Sequence, residues 1–184
     1  MNVHVDDSQL KAMLTDPQQR RKGFELMARQ YSEQIYWQVR RFVLTHEDAD
    51  DIVQNAFMKA WNAMDTFHGD SKVSTWLSRI AINEAIDFNR RQKNRPTLSA
   101  DDADLGIANQ LQADKYFDGE EAEALLQEAI ARLPEAQRTV FLLRYYDEMK
   151  YSEISRITGT TEGGLKASYH IAVKKITDFF RNHD

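Results

Sequence analysis

The chain has no cysteine among its 184 residues. That excludes disulfides, thiolate metal sites and cysteine nucleophiles, and it suits a reducing, cytoplasmic setting. Glycine and proline are sparse, 7 and 3 residues, so long stretches are free to be regular and helices are favoured. No apolar run approaches the roughly 20 residues needed to cross a bilayer. The opening MNVHVDDSQL is acidic and lacks the apolar segment of a signal peptide. The five histidines (His4, His46, His68, His170 and His183) are scattered and fall in no HExxH spacing. No glycine-rich phosphate loop and no GxSxG occurs. The acidic cluster Asp48, Asp50 and Asp51 lacks the alternation and the glycine of an EF-hand and reads as a helix start. An independent enzyme, a metal site and a cofactor are therefore not expected.

Apolar residues make up 42% of the chain and charged residues 29%, enough for a buried core under a solvated surface. The net charge of −5 would oppose nucleic-acid binding if it were evenly spread, but it is not. Residues 96–125 hold eight acids and one base, leaving +2 on the remainder. Positive charge gathers in Arg90-Arg91-Gln92-Lys93-Asn94-Arg95 and on the last helical segment. Local field, not total charge, governs phosphate binding.

Periodicity gives an all-α reading. Residues 6–16 form a short helix with Leu10, Met13 and Leu14 on one face. A stripe follows at spacings of three and four: Phe24, Met27, Ala28, Tyr31, Ile35, Val39, Phe42 and Val43. Thr45, three residues before Asp48, opens an acid-rich helix carrying Ile52, Ala56, Phe57, Ala60, Trp61 and Met64. Residues 65–73 read as a loop. Ser74 is a suitable N-cap for a third long helix, with Trp76, Leu77, Ile80, Ala81, Ala85 and Phe88 facing inward. Residues 96–119 have weak periodicity and read as a flexible acidic linker, with transient helix around 107–111. Order resumes near Glu120 with Ala124, Leu125, Ala129, Ile130 and Leu133, ended by Pro134. Val140, Phe141 and Leu143 mark the next helix.

Residues 151–177 have the shape of a helix-turn-helix. A short helix at 152–158 carries Ile154 and Ile157, and Gly159 supplies the left-handed residue that closes it. Thr160 or Thr161 caps a longer helix with Glu162 in its first turn. That helix buries Leu165, Tyr169 or Ala172, Val173 and Ile176. Its outward residues are then Lys166, Ser168 and His170, with Lys174 further along. In this motif the second helix enters the major groove. Both an ordinary helical hairpin and a helix-turn-helix transcription regulator with a helical N-terminal domain fit this segment by itself.

Both halves together carry a more specific signal. DADDIVQNAFMKAW (48–61), DTFHGDSKVSTWLSRIAINEAIDFNRR (65–91) and LPEAQRTVFLLRYYDEMKYSEISRITGTTEGGLKASYHIAVKKI (133–176) resemble, in order and spacing, the extracytoplasmic-function sigma factors of the sigma-70 family. The resemblance spans roughly residues 20–180 of the sequence. It implies two small helical domains: region 2 in residues 1–95 and region 4 in residues 120–184, joined by the linker 96–119. It implies partners as well: the core RNA polymerase, through its β′ clamp helices and β flap, promoter DNA, and an anti-sigma factor.

The resemblance also distributes roles. Asp48, Asp51, Gln54, Asn55 and Met58 fall on the helix that docks on core polymerase; the family often has Glu where Asn55 stands. Phe67, His68, Ser71 and Lys72 fall in the loop that reads the minus-ten element. Asn83 matches the position that helps form a pocket for a flipped-out base. Arg79, Arg90 and Arg91 are placed to hold phosphates. A single-strand reader needs amide groups plus a stacking surface, which Asn83 and Phe67 supply by type. Thr161, Lys166, Ser168, His170 and Lys174 fall at positions facing the minus-thirty-five duplex. The family commonly has Thr-Val-Lys-Ser-Arg where this chain has Gly164-Leu165-Lys166-Ala167-Ser168. Bidentate reading of guanine by arginine is lost there, so the upstream preference should differ from the common one. The acidic linker is expected to thread near the RNA exit path and to mimic nucleic acid by its charge.

Overall fold

The computed structural model describes residues 5–93 and 121–182. Those residues form eight α-helices and one 3-10 turn, with no strand among them. In chain order the helices are α1 (Asp7–Thr15), α2 (Arg20–Arg40), α3 (His46–Asn62), α4 (Val73–Lys93), α5 (Glu121–Ala131), α6 (Glu135–Tyr145), α7 (Tyr151–Thr158) and α8 (Glu162–Arg181). The 3-10 turn Met64–Thr66 follows α3. The chain divides into two units, Met1–Val43 with Glu47–Phe88 and Leu44–His46 with Asn89–Asp184. The linker 96–119, its expected helix at 107–111, and His4, Arg95 and His183 lie outside the described residues.

In the N-terminal unit the apolar stripes turn inward. Leu10, Leu14, Met27, Ile35, Val39, Ala56, Ala60, Leu77, Ala81 and Ala85 are fully buried. Burying one such aliphatic side chain favours folding by about 1.5–3 kcal/mol. Helix α1 packs on α2, and Gly23 is where they approach. A Cβ there would lie 2.9 Å from the Met13 Cβ, so any larger residue would push α1 away. The rings of Phe24 and Trp61 meet edge to face at 5.0 Å, joining α2 to α3. Buried polar groups find partners: the Ser78 hydroxyl donates to Gln38 Oε1 at 2.8 Å, tying α4 to α2. Lys59 of α3 pairs with the buried carboxylate of Glu84 on α4.

Helices α3 and α4 each differ from the sequence reading in one detail. Helix α4 starts at Val73, so Ser74 lies inside its first turn; the Val73 amide donates to Asp7 Oδ1 at 2.9 Å. A carboxylate 66 residues away thus fills the place assigned to a local serine. Trp61, expected in the core, is 43% exposed, although its ring meets that of Phe24.

The C-terminal unit is built on α8, which packs on α5, α6 and α7. Leu165, Ala172 and Ile176 of α8 are buried, with Ile130, Val140, Leu143 and Ile154 from the surrounding helices. Phe141 stacks on Tyr145 at 5.1 Å and on Tyr169 at 5.9 Å. Tyr169 is half-buried and Val173 is 39% exposed, so Val173 leaves the expected core set. Glu128 is buried and accepts from Arg132 at 2.6 Å. On α6, burial lowers the Arg138 guanidinium below its ordinary range, partly offset by Glu135, and its Nε lacks a hydrogen-bond partner.

Candidate nucleic-acid interface

The helix-turn-helix is set by local chemistry. Glu153 accepts from the Lys150 backbone N–H at 3.1 Å and fixes the start of α7. Gly159 takes φ 72°, and its N–H returns to the Ser155 carbonyl at 2.8 Å; that left-handed geometry suits glycine. Of the two candidate caps, Thr161 holds the position: its hydroxyl accepts from the Gly164 N–H at 3.2 Å. The Thr161 oxygen is thus engaged in starting α8.

Along α8, Lys166, His170 and Lys174 are exposed. Successive residues turn by about 100°, so steps of four keep these side chains on one slowly drifting stripe. Ser168 is half-buried. Two residues from Lys166, it sits about 200° round the helix, on the rim rather than beside Lys166 and His170 as the sequence reading had it. Ala167 and Ile171 occupy the exposed arc instead. One feature had no sequence signal: the Lys166 ammonium lies 5.7 Å from the Tyr151 ring centroid, and the Arg144 guanidinium lies 5.4 Å from it. Arg144 also donates to the Met149 carbonyl at 3.0 Å, holding the turn before α7.

In the N-terminal unit the loop 67–72 leads directly into α4. His68 and Lys72 are exposed and Ser71 is half-buried. Phe67 is not offered to solvent: it is 5% exposed, its ring 4.8 Å from that of Trp76, itself 6% exposed. An apolar ring gains more by burial against Trp76 than by standing in water. Phe67 and Trp76 therefore floor the loop, and the free stacking surface expected at Phe67 is absent. Arg79 and Asn83 are both exposed, one turn apart on α4. The end of α4 belongs to the C-terminal unit: there Arg91 is exposed, and Arg90 is paired with Glu135 at 2.6 Å. A polar loop and a helix face bearing guanidinium and amide groups suit a single strand better than a duplex groove.

On α3, Asp51, Gln54, Asn55 and Met58 are exposed, Met58 by 64%. Their spacing of three, one and three places them on one face. Asp48 is half-buried at the helix start. Trp61, one turn beyond Met58, extends this face with apolar area, which the sequence reading had assigned inward. No helix among the described residues is long and apolar enough to cross a membrane.

Comparison with known proteins agrees with this layout. Residues 27–95 match Sigma-70 region 2 and residues 123–176 match Sigma-70, region 4. The chain is 31% identical over 155 residues to the RNA polymerase sigma-H factor of Pseudomonas aeruginosa, covering 80% of each. It is 34% identical over 148 residues to the ECF RNA polymerase sigma factor SigW of Bacillus subtilis, covering 76% of this chain and 79% of that protein. Its fold is that of CnrH in complex with the cytosolic domain of CnrY, with TM-score 0.71 and 21% identity over 97% of this chain and 99% of the other. RpoE in complex with the anti-sigma factor NepR, from Bartonella quintana, superposes with TM-score 0.65 and 20% identity, over 87% and 98%. The chain belongs to the extracytoplasmic-function branch of the sigma-70 family. It is an alternative sigma factor, one that binds core RNA polymerase and promoter DNA and directs transcription initiation. The non-sigma regulator is set aside.

Proposed function

We propose that the two units divide promoter recognition between them, the N-terminal one taking a single strand and the C-terminal one a duplex. The exposed face of α3, with Asp51, Gln54, Asn55 and Met58 behind Asp48, docks on the β′ clamp helices. The loop residues His68, Ser71 and Lys72 and the α4 residues Arg79 and Asn83 receive the melted non-template strand at the minus-ten element. Arg91 adds positive field along the path of the strand, and Arg90 joins it on leaving Glu135, its partner at 2.6 Å. Phe67 acts from beneath, as the packed floor that shapes the loop. In the C-terminal unit, α8 enters the major groove of the minus-thirty-five duplex, with Lys166 foremost, His170 and Lys174 along the same stripe, and Ser168 at its rim. Thr161 sets the helix start there, near the β flap. The chain acts in the cytoplasm as a non-enzymatic specificity subunit, and a partner anti-sigma factor holds it inactive.

The observation that carries this reading is the exposed pair Arg79 and Asn83 on the helix that the loop leads into. A groove-reading regulator has no need of a second, strand-type surface. The test is run-off transcription with core polymerase on a pool of genomic promoter fragments, with and without the chain. Transcripts that begin at discrete sites only when the chain is present are expected, and their upstream sequences reveal both elements. Discrete starts that survive deletion of either element would overturn the division of labour.

A further inference from the structure

The loop assigned above to the minus-ten strand has its two ends near Asp65 and Val73, and both are fastened to the first 20 residues of the chain. At the far end, Asp7 Oδ1 accepts from the Val73 N–H at 2.9 Å, satisfying a donor that a helix start leaves open. Asp7 is itself steadied by Lys11, at 3.2 Å. At the near end, Arg20 donates to Asp65 Oδ1 at 2.5 Å. Between them, α1 packs against the 3-10 turn Met64–Thr66. The Lys11 Cδ lies 3.8 Å from the place a Cβ on Gly69 would occupy, where φ is 78°. The anchor is firm: Leu10 and Leu14 are fully buried. The Val5 N–H donates to Gln30 Oε1 at 2.9 Å, and Gln30 Nε2 donates to the Val5 carbonyl at 3.2 Å. Asp7, Lys11 and Arg20 all precede residue 27, where the match to region 2 begins.

We propose that Asp7 and Arg20 are positioning residues for promoter recognition. They hold the loop at one setting against α4, so that its side chains and Asn83 meet the strand as a formed site. The physical reason is entropic. A short polar loop makes few contacts of its own, and fixing its free backbone at the moment of binding costs conformational entropy. Tethers at both ends remove part of that cost beforehand. They also sharpen discrimination, since a loop free to shift can accommodate a wrong base. The inference rests on the assignment of this loop to the minus-ten strand.

The test uses holoenzyme on a promoter fragment obtained by the run-off experiment, beside versions carrying single-base changes in the minus-ten element. The quantity read is the ratio of initiation on the parent fragment to that on each changed fragment. That ratio does not depend on how much of the chain is folded. Asp7→Ala and Arg20→Ala should each lower it about fivefold, in line with the loss of one charge-assisted hydrogen bond. Affinity for core polymerase should be unchanged. Asp7→Asn keeps an oxygen acceptor for Val73 and should restore most of the ratio. Equal loss of initiation on all fragments, with the ratio intact, would show α1 to be only a stabilising helix and would overturn the proposal. Asp7→Asn behaving as Asp7→Ala would overturn the capping role. A native chain that initiates but does not discriminate among the changed fragments would overturn the loop assignment itself, an outcome visible before any variant is made.

Discussion

In the C-terminal unit, the residues proposed to meet DNA, Lys166, His170 and Lys174, are exposed on one helix and share one stripe. Its start is fixed by neighbours in sequence, Gly159 and Thr161. In the N-terminal unit, the corresponding residues sit on a loop and on α4, and the loop is held by Asp7 and Arg20, residues distant from it in sequence. A rigid helix brings its own geometry and needs only a cap. A loop must borrow geometry from whatever it is tied to. A duplex groove is a fixed partner for a helix, whereas a single strand has to be met by a surface that is already shaped.

The largest effects come from opening either core. Ile154 and Leu77 are fully buried, one in each unit, and Ile154→Ala or Leu77→Ala should each cost about 3 kcal/mol. All three tryptophans, Trp37, Trp61 and Trp76, lie in the N-terminal unit. In urea titrations, Leu77→Ala should move the tryptophan emission midpoint and Ile154→Ala only the far-ultraviolet helicity. Emission that follows Ile154→Ala would break the contrast by showing one cooperative block.

Next come the two proposed DNA surfaces. Lys166→Ala should weaken upstream binding by about 2 kcal/mol if the ammonium reads a base, and unequally across sequences. Equal losses on every sequence, with a shallower salt dependence, would reduce it to a phosphate contact. Asn83→Ala should slow promoter opening while leaving polymerase binding intact; normal opening, followed by permanganate reactivity of the melted strand, would remove the pocket role. Thr161→Ala should cost about 1 kcal/mol through the lost cap, read as a lower midpoint of helicity loss. Smallest is Arg138→Met. The guanidinium is held in a desolvated place with its Nε unpartnered, so an apolar chain of similar length should leave the melting temperature unchanged or raise it, by no more than about 1 kcal/mol in equivalent.

Most of the architecture was legible because helices announce themselves by period. The stripes of α2, α3 and α4, and the Gly159 turn, needed only spacing and composition. What the period withholds is coverage. It placed Trp61 and Val173 on apolar stripes, but not how far the neighbouring helices extend over them. It gave a loop at 65–73 and could not tell that Phe67 folds beneath it against Trp76. Ser74 failed for a different reason: the acceptor at the start of α4 comes from Asp7, and no local rule reports a hydrogen bond 66 residues away. Ser168 was an error of geometry, since two residues along a helix reverse the direction of a side chain. The approach of Arg144 and Lys166 to the Tyr151 ring belongs to the same class of long-range arrangement.

The ion pair between Lys59 and Glu84 has a bearing on modularity. Lys59 sits on the helix assigned to polymerase docking, and Glu84 follows Asn83 on the helix assigned to the promoter strand. Transplanting α3 alone from a relative, with a neutral residue at position 59, would leave a buried carboxylate facing no ammonium. The penalty would be about 1–3 kcal/mol. Chimeras made to retarget this protein should therefore exchange α3 and α4 together, because this ion pair couples the two surfaces.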